Sequence, residues 1–142
     1  MTRSLIREHL FKLLFRIEFN DPDDMPEQVR LFFEDACPED GYDSTGSDIP
    51  DEDASYIRNK YEHILELLPE IDEKIDGAAK GWSLPRIGKV ELSVLRLAVY
   101  EMLYDDDIPV GVAIDEAVEL SKKFGQESSG PFVNGILATL AK

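Results

Sequence analysis

Residues 82–104 read WSLPRIGKVELSVLRLAVYEMLY, the most apolar stretch of the chain. Ile87, Val90, Val94, Leu97 and Glu101 recur every three or four residues, the spacing of one helix face. Leu92, Leu95, Val99 and Met102 recur in the same way on a second face. A surface helix carries one apolar stripe, so a helix apolar on two faces is packed from both sides. The pattern predicts a central helix with neighbours on either side. Pro85 suits a first helical turn, where no amide hydrogen is needed, and Ser83 suits the cap before it. Asp105, Asp106 and Asp107 then oppose the negative end of the helix dipole, with Pro109 close behind, so the helix should stop there or just before. A stretch of about 20 residues is long enough to cross a bilayer. Arg86, Lys89, Glu91, Arg96 and Glu101 interrupt this one, which reads as a soluble core helix.

The flanking segments also carry helical spacing. Residues 2–19 have a stripe of Ile6, Leu10, Leu13 and Ile17, widened by Leu14. Arg3, Arg7, Phe11 and Phe15 follow one another at four-residue intervals and form a ridge beside it. Lys12 and Arg16 fall nearly opposite, so the four basic residues make two pairs rather than one patch. Pro26 should open a short helix reaching about Ala36, with Val29, Phe32 and Phe33 inward. CPEDGYDSTGSDIP, from Cys37 to Pro50, has no periodicity and predicts a mobile loop. Asp51 should cap a helix carrying Ile57, Tyr61, Ile64 and Leu68, and Pro69 should restart another carrying Ile71, Ile75 and Ala79. Beyond the central helix, Val110 to Phe124 is helical and stops at Gly125. A last helix, capped by Ser128 or Ser129, packs Val133, Ile136, Leu137 and Leu140. Gly135 inside it costs about 1 kcal/mol against alanine, which predicts a close backbone approach. No strand alternation survives, and the expected fold is all-α with about seven helices.

A chain of 142 residues that is 43% hydrophobic can bury a core of its own. With no apolar leader at its start, the expected location is cytoplasmic. Cys37 is the only cysteine, so no internal disulfide is available. The net charge of -15 is uneven. Residues 1–20 hold four basic and two acidic side chains, residues 21–80 hold five and 19, and residues 81–142 hold six and nine. Such acidity serves solubility or a basic partner, and it argues against tight, unaided binding to nucleic acid. A local contact survives, because exposed charges more than about 8 Å apart are largely screened at physiological salt.

No catalytic grouping emerges, and neither a cofactor nor a metal is expected. His9 and His63 stand alone, and His9 reads as a packed residue of the first helix. The glycines lack the spacing of a phosphate-binding loop. Asp105, Asp106 and Asp107 lack the alternation of a calcium loop and read as a solvated helix end.

Three segments together resemble the NusB family of bacterial transcription antitermination factors: RIGKVELSVLRLAVYEMLY at 86–104, IPVGVAIDEAVELSKKFG at 108–125 and SSGPFVNGILATLAK at 128–142. The N-terminal RSLIREHLFKLLFRIEF matches more loosely, in the right place. The resemblance implies one NusB-like domain of two small antiparallel helical bundles, about 1–80 and 81–142. It also implies binding of boxA-type single-stranded RNA together with the ribosomal protein NusE. The pair would join an antitermination complex on RNA polymerase, notably during ribosomal RNA transcription, with no enzymatic step. By the same resemblance, Arg3 and Arg7 match arginines of an RNA-contacting motif and Phe132 matches an aromatic near the RNA. Ser128 sits where an acidic or polar residue tunes RNA affinity. Phe15 and Glu91 fall on the NusE-facing surface. Ile6 and Glu8 thin the arginine motif and Pro131 precedes Phe132 where a basic residue is common, so RNA binding by the chain alone should be weak. An alternative reading is a helical interaction module or homodimer with no direct RNA function.

Overall fold

The structure is a computed structural model and describes residues 1–34 and 49–141. The expected helix end near Ala36, the lone Cys37 and nearly all of the predicted loop from Cys37 to Pro50 lie outside the described residues. Among the described residues there are six α-helices and no strand: α1 Arg3–Arg16, α2 Met25–Glu34, α3 Asp51–Ala78, α4 Lys89–Leu103, α5 Val110–Phe124 and α6 Ser129–Leu140. The chain divides into two compact units, Met1–Glu62 and His63–Lys142. The division falls inside α3.

In the first unit, Thr2 starts α1 because its Oγ1 accepts the Leu5 amide hydrogen at 3.1 Å. Leu10, Leu13 and Leu14 are buried along the expected stripe. The helix tightens into a 3-10 turn over Ile17–Phe19. α1 packs on α2 through Phe32, whose ring meets His9 edge-on at 5.8 Å. Arg16 pins the same pair of helices: its Nη1 donates to the Gln28 carbonyl at 3.0 Å and its guanidinium lies 5.4 Å from the Phe32 ring centre. Asp51, Glu52 and Asp53 fill the first turn of α3, where the helix dipole favours negative charge.

One helix replaces two between Asp51 and Ala78, which corrects the expected restart at Pro69. An internal proline removes one backbone hydrogen bond and crowds a carbonyl, at about 3 kcal/mol. Ile64 before it, and Ile71 and Ile75 after it, are all 0% exposed. Each buried side chain of this size contributes about 1.5–3 kcal/mol, so the two isoleucines beyond the proline offset its cost.

The second unit is built on α4. Every residue from Leu92 to Met102 is buried, including Ser93, Arg96 and Glu101. The helix is thus covered all round, as its two apolar faces require, and α5 and α6 pack on it and on each other. Its start differs from the expected one. Ser83 and Pro85 belong to a separate 3-10 turn, Leu84–Arg86, after which Ile87 is extended (φ -76°, ψ 135°) and α4 begins at Lys89. A cap residue followed by proline suits the first turn of either helix type, so the residues alone did not separate the two. The far end is as expected: α4 stops at Leu103, and the Asp105 carboxylate accepts the Asp107 amide hydrogen in the turn beyond.

Gly125 ends α5 with an extended backbone (φ -103°) rather than a left-handed one. It is needed for space: a Cβ there would lie 2.8 Å from the Ser121 carbonyl oxygen. Gly135 is the reverse. It is exposed, and no described residue outside its own helix backbone lies within 4 Å of where its Cβ would be, so the predicted close approach does not occur among the described residues. No helix among the described residues is long and apolar enough to cross a membrane.

Candidate nucleic-acid interface

The predicted residues divide between the two units. In the first, Arg3 is exposed in the opening turn of α1. Arg7, one turn on, is 4% exposed, and Phe11 is buried beside it. The expected basic and aromatic ridge is therefore mostly covered, because burial on α1 extends beyond the five leucine and isoleucine positions of the stripe to Arg7 and Phe11. Phe15 is half-buried in a ladder of rings, 5.8 Å from Phe11 and 4.9 Å from Phe19. Phe19, next at the same four-residue interval, is 58% exposed and extends the ridge.

His9 is fully buried, as read from the sequence, and neither ring nitrogen has a hydrogen-bond partner among the described residues. Burial lowers its pKa below the usual histidine value, nearby Lys12 lowers it further, and Glu8 opposes both. The unfolded chain, with an ordinary histidine, therefore takes up the proton first as pH falls below about 6.5. Stability should decline through that range, and His9→Leu should remove this part of the decline. Unfolding followed at pH 7.5, 6.5 and 5.5 for both proteins checks it; equal slopes would refute the assignment.

In the second unit, Ser128 is exposed at the start of α6 and Phe132 is half-buried one turn later. Ser128 makes no side-chain cap. Its neighbour does the bonding: Ser129 Oγ accepts the Gln126 amide hydrogen at 2.9 Å and donates to Glu91 Oε1 at 2.5 Å. Glu91, expected on a partner surface, is thus half-buried and tied across 38 residues to the turn that carries Ser128. Phe132 also meets Trp82 edge-to-face at 5.7 Å, and the Arg86 guanidinium lies 5.7 Å from the centre of the Trp82 ring. Trp82, Arg86 and Ser129 were not singled out as site residues in the sequence. Among the described residues no group of three or more His, Cys, Asp or Glu is placed to hold a metal ion.

Residues 4–142 match the family model described as the NusB family. The chain belongs to the NusB family. It is 49% identical to the transcription antitermination protein NusB of Lachnoclostridium phytofermentans over 97% of each chain. It is 45% identical to that of Agathobacter rectalis over 99% of this chain and 100% of the relative. Its fold matches T. maritima NusB with a TM-score of 0.77, at 37% identity, over 99% of this chain and 91% of the other. A crystal structure of the antitermination factors NusB and NusE in complex with double-stranded RNA matches with a TM-score of 0.71. There the identity is 25%, over 99% of this chain and 98% of that one. NusB proteins are all-helical transcription antitermination factors rather than enzymes, and this chain shares that fold and role.

Proposed function

We propose that this NusB-family protein binds boxA-type single-stranded RNA together with the ribosomal protein NusE, in the cytoplasm. The pair would join an antitermination complex on RNA polymerase, including during ribosomal RNA transcription. The observation that carries the reading is the match of nearly the whole helical framework to NusB solved with NusE and RNA. That complex holds a duplex, but Phe132 favours an unpaired strand here, because a side chain can stack only on a base that is not already enclosed in a helix. Arg3 contacts phosphate, Phe132 offers an aromatic face, and Ser128 adds a hydroxyl. Arg7 contributes its charge from a covered position, so its substitution reports on folding as much as on RNA. Phe15 of the first unit and Glu91 of the second each serve NusE binding, and the acidic surface draws in a basic partner before contact.

Two to four phosphate contacts on single-stranded RNA give a log–log salt slope of about -1.4 to -2.8. Arg3→Glu should weaken RNA binding about tenfold, flatten the slope by about 0.7 and leave NusE binding unchanged. Anisotropy of a labelled boxA-type RNA, with and without NusE at two salt concentrations, measures all three. Unchanged RNA affinity would refute the assignment of Arg3. The covered Arg7 favours a second reading, a homodimer or helical interaction module that buries α1. Sedimentation with and without RNA separates the two, since the second predicts no RNA-dependent species.

A further inference from the structure

We propose that Trp82, Arg86 and Phe132 form a stacking site for one unpaired base of single-stranded RNA. This rests on the RNA reading above and adds a subsite to it. The three side chains converge in the second unit although Phe132 lies 50 positions from Trp82 in the sequence. Trp82 is 47% exposed, which leaves much of its ring accessible to a ligand. Its edge-to-face contact with Phe132, at an interplanar angle of 73°, holds the two rings as a corner rather than a closed stack. Arg86 adds a planar cation, and guanidinium planes stack on bases as aromatic rings do.

The backbone around this corner is fixed. Gly81 has φ +84°, a left-handed conformation in the turn after α3 that few other residues adopt readily. The Trp82 amide then donates to the Ala79 carbonyl at 2.9 Å, and the Arg86 amide donates to the Ser83 carbonyl at 2.9 Å. Pro85 stiffens the 3-10 turn between the two side chains. Charge selects the occupant. In a chain of net charge -15, no acidic residue occurs between Asp76 and Glu91, and Lys80, Arg86 and Lys89 all do. All three are exposed. An aromatic corner with Arg86 against it, on a segment whose only charges are basic in an otherwise acidic protein, suits an aromatic base carried on a phosphate backbone.

Trp82 is the only tryptophan, so its fluorescence reports on this site alone within the chain. Titrating boxA-type single-stranded RNA into the protein with NusE, and subtracting the signal of Trp82→Phe, should show saturable quenching at the same midpoint as anisotropy. Trp82→Ala should weaken binding by about 5- to 150-fold while Trp82→Phe keeps most of it. An oligomer of the same length with abasic positions should quench far less. Anisotropic binding with unchanged fluorescence and unchanged Trp82→Ala affinity would overturn the stacking site and leave the RNA reading standing. Equal quenching by the abasic oligomer would overturn it too, as would a change produced by NusE alone and none by RNA. No binding in any mixture would overturn both.

Discussion

Leu95→Ala is expected to lower the unfolding free energy by about 3–5 kcal/mol. Leu95 is 0% exposed at the middle of α4, within the run that is buried on all sides. Removing its side chain forfeits the transfer of three carbons from water and leaves a cavity that rigid neighbours on two faces cannot close. Against a typical total of about 5–15 kcal/mol the loss is large, and it should lower the melting temperature by roughly 10 °C or more. Leu103→Ala is the control. It lies two turns further along the same helix but is 41% exposed, and it should cost no more than about 1 kcal/mol. Thermal unfolding followed by circular dichroism compares them. Equal losses would mean that α4 is not enclosed as described.

That contrast was legible in the sequence because it depends on a local period. Two interleaved stripes at 87–102 require burial all round, and the structure buries every residue from Leu92 to Met102. Helix ends with a local chemical signal, such as Gly125 and the aspartates after Tyr104, were legible for the same reason. Pro69 was not. Its local signal says stop, and it is overridden by the burial of Ile71 and Ile75, which is a property of the assembled unit. The candidate site residues rested only on family resemblance, one residue at a time. Nothing in the spacing of Arg7 distinguished a covered arginine from an open one. Nothing local joins Glu91 to Ser129 or Trp82 to Phe132, since these pairs meet only when α4, α6 and the turn before α4 are in place. Trp82 does carry a local signal, since the only tryptophan sits in a basic segment free of acid in a strongly acidic chain.

The same gap between local and assembled information governs Arg96. In the sequence it marks the central helix as too polar for a membrane. In the folded unit it is 7% exposed and its guanidinium grips Asp72 of α3 at two points, Nε to Oδ1 at 2.9 Å and Nη2 to Oδ2 at 3.0 Å. Such a fork holds α3 and α4 in register more tightly than an ammonium would. Asp72→Ala is therefore expected to cost about 2–3 kcal/mol, because it removes the two-point carboxylate partner of a buried cation. The figure sits below that for a fully enclosed pair, since the Asp72 side chain remains 21% exposed and water can partly replace it. Arg96→Met, which removes the charge and keeps the packing, should cost less than Asp72→Ala. The double variant should be more stable than the two single losses added together, by about 1 kcal/mol or more. Strict additivity in urea unfolding would show that the pair contributes nothing beyond its separate side chains. If Arg96→Met proved as damaging as Asp72→Ala, Arg96 would matter through other contacts than this one.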